Sequence, residues 1–351
     1  MTVFDPQRIA DQSTYGQAAR SSTGITFVLV NGAAVVRDGR LVEGVAPAAR
    51  YGHPCDEFRG TVQRLLLVGG ARSPTLILGV LRVFCVESAP LRRSKNRSKG
   101  VPTAMIVLVL TALLTIVPLV PLLAIPAAGA IAVLTALAWR RRQQAAASLG
   151  LFSVTCIGLA IAGVGPQQVL FPIAFTTYFI VVWRVPWLRR ASSWLKWGAL
   201  DATVLAFAVA IATVSGVTLL AWFAITRPDL SDLFRTFVPN QPLWVLGPGA
   251  ILFSMLNAAI EEAAYRGILL SALDATLGPG VRALILQALA FGTLHLYGGI
   301  PRGVAGVVLA FGYGVALGAL RRMAGGLLAP WIAHVLTDIV IFSMVIWLAR
   351  A

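Results

Sequence analysis

From residue 103 to its C-terminus the chain is an almost unbroken series of apolar stretches, most of them near the length that crosses a bilayer as a helix. A lipid core offers no hydrogen bonds to the backbone, so such stretches fold as helices that satisfy their own amides. Candidate spans fall near 104–120, 122–139, 146–164, 167–184, 198–225, 243–272, 281–298, 302–320 and 327–348. The first two share one apolar run interrupted by Pro118, Pro121 and Pro126, which makes either a tight hairpin or a single broken helix. The expected fold is therefore all-α, a polytopic transmembrane bundle of eight or nine spans. Composition agrees: 351 residues, 58% hydrophobic and 12% charged, with a mean hydropathy of +0.80, are too apolar for a soluble domain. The net charge of +15 would suit nucleic acid if it lined a groove. The basic residues instead cluster between apolar runs, at Arg140 to Arg142, at Arg184, Arg189, Arg190 and Lys196, and at Arg321 and Arg322. That is the positive-inside pattern, with those loops cytoplasmic, so the lipid bilayer and not nucleic acid is the expected partner.

The N-terminal part reads differently. Residues 20 to 50 include GITFVLVNGAAVVRDGRLVEG, where β-branched residues alternate around the turn pairs Asn31-Gly32 and Asp38-Gly39, the pattern of a short β-meander. With the upstream FDPQRIAD, this stretch resembles the C-terminal tail of amidohydrolases of the N-acyl-D-amino-acid deacylase type. It carries none of their metal-binding histidines, so residues 1–50 are expected to be a non-functional remnant. Residues 51–102 have mixed composition, end in the basic run LRRSKNRSK and show no sustained period, which predicts a poorly ordered linker. The break in composition makes Met105 a candidate for the true start. The remainder divides into N-terminal transmembrane helices, 103–239, and a C-terminal core, 240–351. Cys55, Cys85 and Cys156 are far apart and form no CxxC pair, so neither a disulfide framework nor a zinc cluster is indicated. The first 25 residues lack the apolar core of a signal peptide.

From residue 105 onward the chain has seven acidic residues, and three of them, Glu261, Glu262 and Asp338, fall inside predicted spans. A charged group at the bilayer centre costs roughly 2.5 to 3.5 kcal/mol on insertion scales, so each needs a reason. Glu262 and Arg266 are four apart on a helix, in the better orientation for an ion pair. Glu261 is turned about 100° from Glu262 and so presents to another side. A carboxyl there suits a group that accepts and returns a proton. The next helix carries Phe291 and His295, at a depth from the Leu277 to Gly280 turn that matches Glu261. The last carries His334 and Asp338, again four apart and on one face. Each cluster also reads as ordinary packing: a buried ion pair, a hydrogen-bonded histidine, an interhelical bond. His334 lies only about two turns beyond Gly325-Gly326, so its depth does not obviously match.

In order, EExxxR (Glu261, Glu262, Arg266), FxxxH (Phe291, His295) and HxxxN/D (His334, Asp338) resemble the signature of the CPBP family. These are the CAAX-processing and bacteriocin-processing intramembrane endopeptidases, also called the ABI or type II CAAX prenyl protease family. The flanking YRGILL and GYGVALGALRRMAGGLLAPWIAH agree, and the resemblance covers roughly 240–345. It implies an intramembrane endopeptidase in which Glu261 is the general base for a water, His295 assists it, and His334 and Asp338 stabilise the oxyanion. Glu262 and Arg266 would support the site and Phe291 would pack. The family more often has Asn at the position of Asp338; an ionised Asp cannot donate a hydrogen bond, so Asp338 is either protonated or orients His334. No cofactor is expected. A zinc bound by one Glu and two His is the competing arrangement, disfavoured by the lack of HExxH and by the need for another base. The implied partner is a peptide or membrane-protein substrate, and the implied location a bacterial cytoplasmic membrane. Two alternatives stand beside the protease: a non-catalytic immunity or binding protein, and a proton- or ion-coupled transporter.

Overall fold

The computed structural model describes residues 2–4, 25–30, 33–37, 40–41 and 102–348, apart from 166 and 230–240. By internal contacts the chain divides into two units, 1–74 and 75–351. In the first, strands β1 (Thr2–Phe4), β2 (Ile25–Val30), β3 (Ala33–Arg37) and β4 (Arg40–Leu41) pair antiparallel in the order β1-β2-β3-β4. Residues 51–101 of the expected linker lie outside the described residues.

In the second unit every described regular element is helical. The helices are α1 (Thr103–Ile116), α2 (Ala124–Arg140), α3 (Gln144–Ile161), α4 (Gln167–Arg184) and α5 (Ala202–Thr226), followed by α6 (Leu243–Leu277), α7 (Val281–Thr293), α8 (Gly303–Ala324) and α9 (Leu328–Leu348). Five of them, α3, α5, α6, α8 and α9, are long and apolar enough to cross a membrane; α1, α2, α4 and α7 are apolar but shorter. The proline-interrupted run is two helices packed on each other, joined by a short 3-10 turn at Pro121–Leu123. Pro118 and Pro121 fall in the link, and Pro126 lies in the first turn of α2, where a missing N–H breaks no helical bond.

Hydroxyls inside these helices bond the carbonyl four residues back, as in Thr111 to Val107 at 2.8 Å, Ser153 to Leu149 at 2.7 Å and Thr337 to Ala333 at 3.0 Å. That satisfies them without water. Apolar side chains on the outer faces, such as Leu205, Val209, Val217 and Leu220 of α5, are exposed and suited to lipid. Inside, the buried residues form two clusters. One joins α1, α2, α3 and α4 with the C-terminal half of α6 and with α7. The other joins α5, α8 and α9 through Val204, Ala208, Leu317, Leu320 and Ala333.

The 35-residue α6 is not α-helical throughout. Glu262–Leu269 is π-helical, the wider winding that tends to mark functional positions. On this segment the Trp194 ring packs against Gly267, where a Cβ would lie 2.6 Å from the ring. Just beyond Trp194 the backbone zips onto the α8–α9 turn. Leu327 and Leu328 donate to the carbonyls of Lys196 and Trp197 at 2.8 and 3.1 Å, and Ala199 donates to that of Ala324 at 2.8 Å. The turn is thereby held close to Gly267, ten residues short of the end of α6, or about 15 Å of rise. This is why His334, though near the start of α9, reaches the level of Glu262. Depth reckoned from turn positions alone fails because the turns of this bundle are not level.

The zipper depends on Gly198, whose φ is +81° and whose Cβ, if present, would lie 2.6 Å from the Ala324 carbonyl oxygen. Gly198→Ala should destabilise the protein by about 1–3 kcal/mol, through left-handed strain and displaced backbone. Gly129→Ala, in a helix with nothing within 4 Å of the new methyl, should change it by no more than about 1 kcal/mol. Thermal unfolding of the two variants in detergent checks the difference.

Candidate active site

Helices α6 and α9 run antiparallel, and their polar residues meet in sequence. His334 Nδ1 lies 2.8 Å from Glu262 Oε1, Asn257 Nδ2 donates to Asp338 Oδ2 at 3.2 Å, and the Phe253 and Phe342 rings meet edge to face at 4.8 Å. Glu262 Oε1 also accepts from Arg266 Nη1 at 3.0 Å, both side chains being fully buried. A carboxylate oxygen that already accepts from a guanidinium is an acceptor for the imidazole too, so Nδ1 of His334 is the donor. Its other nitrogen, Nε2, then faces Glu261 Oε2 at 3.6 Å and Asp338 Oδ1 at 3.7 Å. Both distances are too long for direct hydrogen bonds and short enough for a shared bridging molecule. Two glutamates turned about 100° apart meet one residue because the two imidazole nitrogens lie on opposite sides of the ring.

Phe291 ties this arrangement together. The Arg266 guanidinium lies over its ring at 4.3 Å from the centroid, a cation–π contact that offsets the buried Nε and Nη2 atoms left without hydrogen bonds. The rings of Tyr265, His295 and His334 approach Phe291 edge to face with centroids at 5.2, 5.4 and 6.3 Å. Tyr313 of α8 holds the other side of His334 at 5.5 Å. Phe291 is therefore more than filler: it packs on the cation of one motif and on the histidines of the other two.

His295 sits in a 3-10 turn, Leu294–Leu296, at the end of α7. With Glu261, His334, Asp338, Asn257 and Tyr313 it lines a cavity of about 610 Å³, within the range of small-molecule and peptide sites. The cavity has one polar end formed by these groups. Its other walls are mainly apolar, from α5 (Ile211, Val214, Leu219), α8 (Val308, Leu309, Ala316) and α9 (Ile341, Phe342, Val345), with the hydroxyl residues Ser215 and Thr218 of α5 among them.

Each candidate read from the sequence can now be located. Glu261, His295, His334 and Asp338 share one cavity. Glu261 Oε2 lies 3.6 Å from His334 Nε2, where depth alone paired it with His295. Glu262 and Arg266 are bonded as expected, but Glu262 also holds His334. Asp338 is 3.7 Å from His334 Nε2, beyond a direct hydrogen bond. Sequence reasoning missed Asn257, although it stands four residues before Glu261 and so on the same helical face. It also missed Tyr313 and the π-helical winding, which no periodicity marks. Among the described residues no group of three or more His, Cys, Asp or Glu side chains is arranged to hold a metal ion. Within the cluster, Glu262 Oε1 and His334 Nδ1 are already taken up with each other.

Residues 242–340 match the protein family described as Type II CAAX prenyl endopeptidase Rce1-like. This segment belongs to that family. The matched segment begins one residue before α6 and ends within α9, so it holds every polar residue of the cluster and the π-helical stretch between them. The α1 to α5 helices lie outside the matched range. Searches against curated proteins and against solved structures gave no match.

The buried ion pair makes a testable energetic claim. Arg266→Met leaves the Glu262 carboxylate short of its cation and should cost about 3–5 kcal/mol, as for other single-partner removals in protein interiors. The double change Glu262→Gln with Arg266→Met removes both charges while keeping an acceptor for His334, and should cost less than the single change. Unfolding midpoints in detergent, compared across the three proteins, check the order.

Proposed function

We propose that this integral membrane protein is an endopeptidase that hydrolyses peptide bonds inside the bilayer with water activated by Glu261. The observation that carries the reading is His334, held by Glu262 at one nitrogen so that the other faces Glu261 and Asp338 at the polar end of an apolar cavity. Membership of the 242–340 segment in a protease family supports it. A water placed between Glu261, His334 Nε2 and Asp338 lies within hydrogen-bond reach of all three. Glu261 takes its proton as the oxygen attacks the scissile carbonyl, and later returns that proton to the departing amine. His295, on the same cavity wall, assists the carboxylate, while His334, carrying a proton on each ring nitrogen between Glu262 and Glu261, donates from Nε2 to the oxygen that gains negative charge, with Asp338 beside it. Because Nδ1 is committed to Glu262, Nε2 is the nitrogen that acts on substrate. The site works without a metal.

The substrate is a peptide or a membrane-protein segment with apolar residues, which the cavity walls on α5, α8 and α9 accommodate. The shorter helices α1, α2, α4 and α7 sit in the membrane beside the five long ones, giving the eight or nine passes that the sequence suggests. Arg140 to Arg142, the α4–α5 loop and the end of α8 then lie on the cytoplasmic side, in a bacterial cytoplasmic membrane.

Glu261→Gln keeps size and hydrogen bonding but cannot accept the proton. In proteoliposomes incubated with a pool of quenched fluorescent apolar peptides, it should lower cleavage by about 10²–10⁴-fold, the usual contribution of a general base, with the unfolding midpoint unchanged. Cleavage by Glu261→Gln at the wild-type rate would end the proposal. Prolonged treatment with a chelator should leave the wild-type rate intact; loss of cleavage that zinc restores would replace this mechanism with a metal-dependent one.

A further inference from the structure

Asn257 has no part in the reading above, yet it is bonded into the centre of the site. It stands one helical turn before Glu261 on α6, lines the same cavity, and donates from Nδ2 to Asp338 Oδ2 at 3.2 Å across to α9. An amide N–H only donates, so it engages Oδ2 as an acceptor. Oδ1 is left as the atom that lies 3.7 Å from His334 Nε2. Asn257 thus fixes which Asp338 oxygen faces the reacting atoms, and it favours Oδ1 as the seat of any proton that Asp338 carries.

We propose that Asn257 is a positioning residue for hydrolysis: by occupying Oδ2 of Asp338 it turns Oδ1 toward the place where the scissile carbonyl binds. The inference rests on the endopeptidase reading and adds a fifth residue to the four of its machinery. Asn257→Asp sets two carboxyls against each other across the two helices.

The test uses the full-length protein in proteoliposomes with the same fluorescent peptide pool. Asn257→Ala should lower kcat by about tenfold to a hundredfold, the loss expected for one hydrogen bond to a charged group, with KM nearly unchanged. Asn257→Ala in an Asp338→Ala background should add almost nothing, because the first residue acts through the second. Asn257→Asp should be as impaired as Asn257→Ala, because the new side chain lacks the N–H that engages Oδ2. Wild-type kcat in Asn257→Ala, wild-type kcat in Asn257→Asp, or additive losses in the Ala double variant would each overturn the proposal while leaving the protease reading intact, provided that Glu261→Gln is inactive in the same assay. No Glu261-dependent cleavage by the wild type overturns both. A purely structural role for Asn257 would instead lower the unfolding midpoint of all variants and leave kcat per folded molecule constant.

Discussion

The Glu262 carboxylate is buried among helices where no water reaches it, and it must be neutralised by whatever the fold brings near. It receives the Arg266 guanidinium from its own helix and the His334 imidazole from α9. Removing Arg266 would leave an uncompensated charge in an apolar bundle, and removing His334 would take from the carboxylate its hydrogen bond to α9, so α6 and α9 are bound to one register. The rest of the polar cluster follows from that register. Once His334 Nδ1 is on Glu262, Nε2 must face Glu261, and one turn further along each helix Asp338 must meet Asn257. A residue whose evident use is to pair with an arginine thus sets the orientation of a histidine in the neighbouring helix.

Two separately packed clusters of apolar side chains surround this polar seam. The cluster on the α1–α4 side ends at the C-terminal half of α6 and at α7, while that of α5, α8 and α9 ends at Ala333, next to His334. Phe291 stands where they meet, with the arginine over its face and two histidines at its edges. The cavity runs along the same boundary and is walled mainly by α5, α8 and α9.

Much of this was legible in the chain itself. Acids and histidines inside stretches otherwise apolar name themselves, because burying them without a partner is so costly. The pairing of Glu262 with Arg266 follows from spacing alone. The positions of His334 and Asp338 relative to Glu261 could not be read, since they depend on the staggered α8–α9 turn, which is set by contacts with a loop more than a hundred residues earlier. Nor could Asn257 be singled out, an ordinary polar residue until Asp338 stands opposite. The bent or doubled nature of the first apolar run stayed open for the same reason: proline marks the break but not the packing that follows.

The backbone zipper between 196–199 and 324–328 has a different kind of consequence. Its bonds run from main chain to main chain, and what it asks of side chains is mostly their absence, at Gly198 and Gly326. The depth of the last helix, and with it the height of His334 in the membrane, is thus written in two missing methyl groups. The loop's other residues can drift in identity, and charge or aromatic content at this surface can be retuned, without the histidine changing its level.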